Sequence, residues 1–153
     1  FVAAIIMGIP MMLYFTKIKK FGMILIFELV NGIVLLLTGM GPDALICGVV
    51  IGLIVEFIIK SGDYRSAKRA VFGYALLMLT SCANYIHWLN ASAEWLNKNA
   101  ATYGQDFMYT ISGWLDYWWM FPAVILSAFI GGILGGLLGR AVLKKHFLRS
   151  GLV

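Results

Sequence analysis

Lys60-Ser61-Gly62-Asp63-Tyr64-Arg65-Ser66-Ala67-Lys68-Arg69 is the stretch that decides how this chain is read. It holds four of the twelve Lys and Arg residues, and long apolar runs flank it on both sides. Two further clusters, Lys17/Lys19/Lys20 and Arg140/Lys144/Lys145/Arg149, stand at the ends of other apolar runs, and only Lys98 lies elsewhere. Cytoplasmic loops of membrane proteins carry an excess of Lys and Arg. The pattern therefore gives spans and orientation together. Each cluster is expected in the cytoplasm, and the chain crosses the bilayer between clusters.

Outward from this stretch, the neighbouring apolar runs cover about residues 43–59 and 70–88. Earlier runs cover 1–16 and 21–38, and a later one covers about 117–143. The turn Gly39-Met40-Gly41-Pro42 closes the second run, since Gly and Pro punctuate helices strongly. At about 1.5 Å of rise per residue, some 18 residues reach roughly 27 Å, near the thickness of the hydrocarbon core. Shorter runs can span where flanking residues snorkel or the bilayer thins. The expected fold is all-α, a polytopic transmembrane helical bundle with five helices visible and the visible N-terminus outside. The chain opens inside apolar sequence with no initiator Met, basic n-region or small-residue cleavage site, so the first run does not read as a signal peptide. One further helix is expected before Phe1, making six with both ends inside.

Composition agrees. The chain is 61% hydrophobic and only 12% charged, with a mean hydropathy of +0.89. A soluble domain of this size needs more charge to cover its surface. The net charge of +5 lies along the membrane edge, so its natural partner is the anionic inner leaflet rather than nucleic acid. Cys47 and Cys82 fall inside apolar runs with no CxxC spacing, which fits buried free thiols.

The stretch 89–113 is the longest between spans and is expected outside. Trp95, Leu96, Tyr103, Phe107, Met108 and Ile111 recur in it at roughly helical spacing, with Gly104 as a break. It reads as an amphipathic segment across the outer mouth, either a lid or an interfacial anchor. Trp114, Tyr117, Trp118 and Trp119 follow at interface depth and form an aromatic belt. Trp114 and Trp118 are also candidates for stacking on a ligand.

Glu28 is the first residue expected to carry chemistry. It lies about 11 Å along a helix begun at Phe21, with Asn31 three residues on and on the same face. An ionisable group at that depth faces a bundle interior or a cavity, as a substrate site or as a hydrogen-bonded structural group. Glu56 stands four residues before Lys60, and an i,i+4 pair at the interface explains it. Asn84, His87 and Trp88 share a face near the outer end of the fourth run, with Tyr85 beside them. With Met40 from the 39–43 turn, they suit the binding of a small molecule at a membrane mouth. A lone His has no second ligand at metal-site spacing, so no metal and no resident cofactor is expected.

Small residues recur every four positions at Gly48/Gly52 and Gly131/Gly135/Gly139, with Ala128, Gly132 and Gly136 alongside. They let helices approach closely in lipid and are a packing signal. Walker A, HExxH, GxSxG and CxxC patterns are absent. The chain has no visible means of hydrolysing ATP and is not expected to be an enzyme.

The segment Thr16-Lys17-Ile18-Lys19-Lys20-Phe21-Gly22 resembles a motif of the Trep_Strep family of small integral membrane proteins. So do Thr38-Gly39, Lys60-Ser61-Gly62-Asp63-Tyr64, and the ending from Gly131 to Arg140 with Lys144-Lys145-His146-Phe147. The order and spacing of these segments carry the resemblance, which runs across nearly the whole chain. The family resembles the substrate-binding S components of energy-coupling-factor (ECF) transporters. That resemblance implies six helices, an outward-opening pocket, and partnership with a transmembrane coupling subunit and two ATPase subunits. It supplies no ligand motif.

The leading expectation is a high-affinity binding component for micronutrient uptake, with substrate held between the outer helix ends. Aromatics, Met and one outer His would suit haem or another flat hydrophobic ring system. A scaffolding membrane subunit without ligand, or an intramembrane enzyme using Glu28 and His87, would be the rivals.

Overall fold

The computed structural model describes residues 1–38, 41–83, 85, 100, 104–115 and 117–147. Six α-helices stand among them: α1 Val2–Lys17, α2 Met23–Leu37, α3 Asp43–Lys60, α4 Ala67–Leu77, α5 Gln105–Leu115 and α6 Met120–Val142. A 3-10 turn, Met78–Cys82, continues α4, and a π turn, Leu143–Phe147, continues α6.

Local sequence explains most boundaries. Gly22, at φ +97°, turns the chain into α2, and Gly104, at φ +90°, precedes α5. Both angles favour a residue without Cβ. Ser66 caps α4 by accepting the Arg69 N–H, so this helix starts before the expected residue 70. The fourth run is also not one continuous α-helix. Within Met78–Cys82 the Ser81 hydroxyl donates to the Met78 carbonyl, the local side-chain bond by which Ser competes with regular helix.

The bundle is assembled through small residues. On α6, Gly131, Gly135 and Gly139 face α1, where a Cβ on Gly135 would collide with the Ala4 carbonyl and one on Gly139 with that of Gly8. Gly132 and Gly136 face α4, where their Cβ atoms would lie 2.6 Å from the Ala75 Cα and 3.2 Å from the Val71 Cα. Two glycine ladders thus seat α6 between α1 and α4. In turn, α4 packs on α3, and α3 on α2. Tyr74 of α4 is fully buried and donates to the Ala4 carbonyl, tying α4 to α1.

The basic clusters at 17–20 and 60–69 and that of Arg140/Lys144/Lys145 meet at one end of this bundle. There the end of α1 meets the start of α2 through the Tyr14 hydroxyl on the Met23 carbonyl (2.9 Å). The end of α3 meets the start of α2 through Glu56, and α1, α4 and α6 border a common cavity. Large apolar side chains remain on the outside, including Ile26, Val30, Ile54, Leu126 and Leu134. That much exposed apolar surface suits hydrocarbon rather than water. Among the described residues, the helix Met120–Lys145 is long and apolar enough to cross a membrane, while Val2–Lys17 and Met23–Leu37 are apolar but shorter.

Candidate functional site

Helical spacing builds the site. Ile24, Glu28 and Gly32 recur every four residues on the buried face of α2, and Gly48, Gly52 and Glu56 do the same on α3. The faces meet with each glutamate opposite something small. Glu56 reaches the start of α2, and Glu28 lies over the glycine pair.

The Glu28 side chain is 3% exposed. A Cβ on Gly52 would lie 3.2 Å from its Cγ, and one on Gly48 would lie 3.2 Å from its Oε2. That same Gly48 position is 3.5 Å from the Cγ2 of Thr80, in the 3-10 turn. Gly48 therefore marks where α2, α3 and the turn converge. Glu28 Oε2 and Thr80 Oγ1 are both buried there side by side, and neither has a hydrogen-bond partner outside the pair. An unmade hydrogen bond at a buried polar atom costs about 1–3 kcal/mol. The Thr80 hydroxyl can donate to the Glu28 carboxyl, and the acceptor capacity that remains can take a donor on a bound molecule. No group of three or more His, Cys, Asp or Glu that could hold a metal occurs among the described residues.

Glu56 corrects its sequence reading. It is fully buried and does not pair with Lys60, whose ammonium lies 4.9 Å from the centre of the Phe21 ring. Its Oε2 instead accepts the Ile24 N–H at 2.9 Å and the Leu25 N–H at 3.4 Å, and its Oε1 accepts the Tyr64 hydroxyl at 3.2 Å. The first N–H groups of a helix lack intrahelical partners, and a carboxylate there is favoured by the helix dipole. Burial, and then the Glu56 charge, raises the Tyr64 phenol above its usual pKa, keeping it a donor at neutral pH.

The other sequence candidates scatter. Asn31, three residues on from Glu28, is exposed and does not join it. Tyr85 is 37% exposed, Trp114 57% and Trp118 87%. Met40, Asn84, His87 and Trp88 lie outside the described residues, as do residues 89–99 of the amphipathic segment. From Gln105 onward that segment is helical, with Met108 buried and Phe107 and Tyr109 exposed. Thr80 is the site residue that sequence reasoning missed. Its signal was a hydroxyl inside an apolar run. The Gly48/Gly52 pair was read for packing alone.

A family model described as a hypothetical bacterial integral membrane protein (Trep_Strep) matches residues 1–149. The chain belongs to the Trep_Strep family. No curated protein and no solved structure matches it. Family membership makes this an integral membrane protein, so Glu28 and Thr80 are polar groups buried in a membrane-protein interior, where unpartnered polar atoms are costly.

Proposed function

We propose that this Trep_Strep protein is the substrate-specificity component of an ECF-type importer, binding a micronutrient from outside and delivering it with a coupling subunit and two ATPases. The observation that carries the reading is the unpartnered Glu28–Thr80 pair, a polar locus inside an apolar bundle. Small-molecule sites combine mostly apolar walls with a few placed polar groups. α2, α3 and the Met78–Cys82 turn pack around the pair.

In this reading the shared basic end faces the cytoplasm, following the positive bias of cytoplasmic loops. The 84–88 segment and the exposed aromatics of 114–119 then lie toward the outside. Substrate enters there and places a hydrogen-bond donor against Glu28 and Thr80. The sequence has no phosphate-binding loop, so the ATP-driven step belongs to partner subunits.

Reconstitution tests this assignment. Uptake into proteoliposomes is expected only when the chain is combined with coupling and ATPase subunits. Accumulation by the chain alone, driven by an ion gradient, would indicate a secondary transporter. Stable partner complexes that carry no ligand and transport nothing would indicate a scaffold.

A further inference from the structure

A cavity of about 330 Å³ opens at the basic end, where the ends of α1 and α6 meet the start of α4. Arg65, Arg140 and Lys144 line it. No carboxylate among the described residues pairs with any of the three. Glu56 makes no ion pair with them, since its oxygens accept from α2 and from Tyr64. Ser66, the cap of α4, borders the same space, so the positive end of that helix adds to the field. The other side of the cavity is apolar, with Met12 and Phe15 among its walls.

We infer that this cavity binds the phosphate of an anionic phospholipid headgroup. These three exposed cations, with no carboxylate partner among the described residues, border one space and attract an anion into it. The apolar wall selects the source of the anion. A free phosphate has no use for Met12 and Phe15, whereas a lipid brings glycerol and acyl carbons on the same molecule. Basic pockets between transmembrane helices are suited to such headgroups. The lipid would join α1, α4 and α6 at their shared end and brace the pairs made by the glycine ladders. The inference is independent of the transport assignment, because it requires only that the basic end lie at a membrane surface.

The test uses the full chain in nanodiscs and by native mass spectrometry. Wild type is expected to retain one phosphatidylglycerol in preference to phosphatidylcholine by about tenfold and to melt higher in phosphatidylglycerol discs. The Arg65→Gln/Arg140→Gln/Lys144→Gln variant is expected to lose that preference. A Lys19→Gln/Lys20→Gln/Lys68→Gln variant removes the same charge outside the cavity and is expected to keep it. Equal loss in both variants would overturn the site in favour of diffuse surface charge. Equal protection of detergent-solubilised wild type by inorganic phosphate would overturn the lipid assignment. The wild-type arms need no variant to fold, and absence of any headgroup preference there overturns the proposal outright.

Discussion

Glu28 and Glu56 lie at the same α2–α3 contact yet have opposite surroundings. Glu56 meets the start of α2 at Ile24, and Glu28 stands one helical turn further on. Glu56 has two backbone N–H groups and a phenol on its oxygens. Glu28 Oε2 has only the Thr80 hydroxyl beside it, and neither has a partner outside the pair. Two carboxyls of the same type, both buried, therefore divide into one that caps a neighbouring helix and one that has only a hydroxyl beside it. Burial alone does not identify a functional acid. The count of satisfied hydrogen bonds separates the structural acid from the candidate one.

The largest expected effect is on the closed side of this comparison. Glu56→Ala strips the cap from α2 and leaves the Ile24 N–H buried without its partner, which should cost about 3 kcal/mol of stability. Thermal unfolding in mild detergent measures it. A melting point unchanged from wild type would remove the distinction between the two glutamates.

Glu28→Met should behave in the reverse way. Replacing a buried carboxyl that has only a hydroxyl beside it by an apolar chain of similar volume is neutral or stabilising. Ligand affinity should nevertheless fall about tenfold, or roughly 1.4 kcal/mol. Isothermal titration with the natural ligand, beside the melting curve, separates the two readouts.

Two smaller effects sharpen the contrast. Tyr64→Phe removes one of three bonds to Glu56 and should cost about 1 kcal/mol in the same unfolding experiment, with affinity unchanged. Gly48→Ala places a methyl against Glu28 Oε2 and Thr80, where the flexible carboxylate end can give way. It should weaken ligand binding about threefold, near 0.7 kcal/mol, while barely moving the melting point.

The sequence made part of this legible. Basic clusters marked the helix ends because Lys and Arg are costly deep in an apolar span, and the structure gathers the described ones at one end. Glycine spacing announced close helix contacts, but it could not say that the 131/135/139 ladder meets α1 and the 132/136 ladder meets α4. Glu28 was visible as a buried acid because it lies deep in an apolar run. Glu56 was misread because a cation stands four residues away. Lys60 is its helical neighbour, whereas its actual partners are backbone N–H groups of another helix, which carry no side-chain signature. Thr80 lies in the tightened turn Met78–Cys82, a change that a period of 3.6 residues does not encode.

The central claim is that the Glu28–Thr80 locus holds a small molecule. Mass spectrometry of ligand carried through mild purification tests it most directly, with wild type and Glu28→Met prepared in parallel. One small molecule per chain is expected in wild type, with about a tenfold loss in the variant at an equal or higher melting temperature. Equal ligand in both proteins, or none in freshly extracted wild type, would contradict the account.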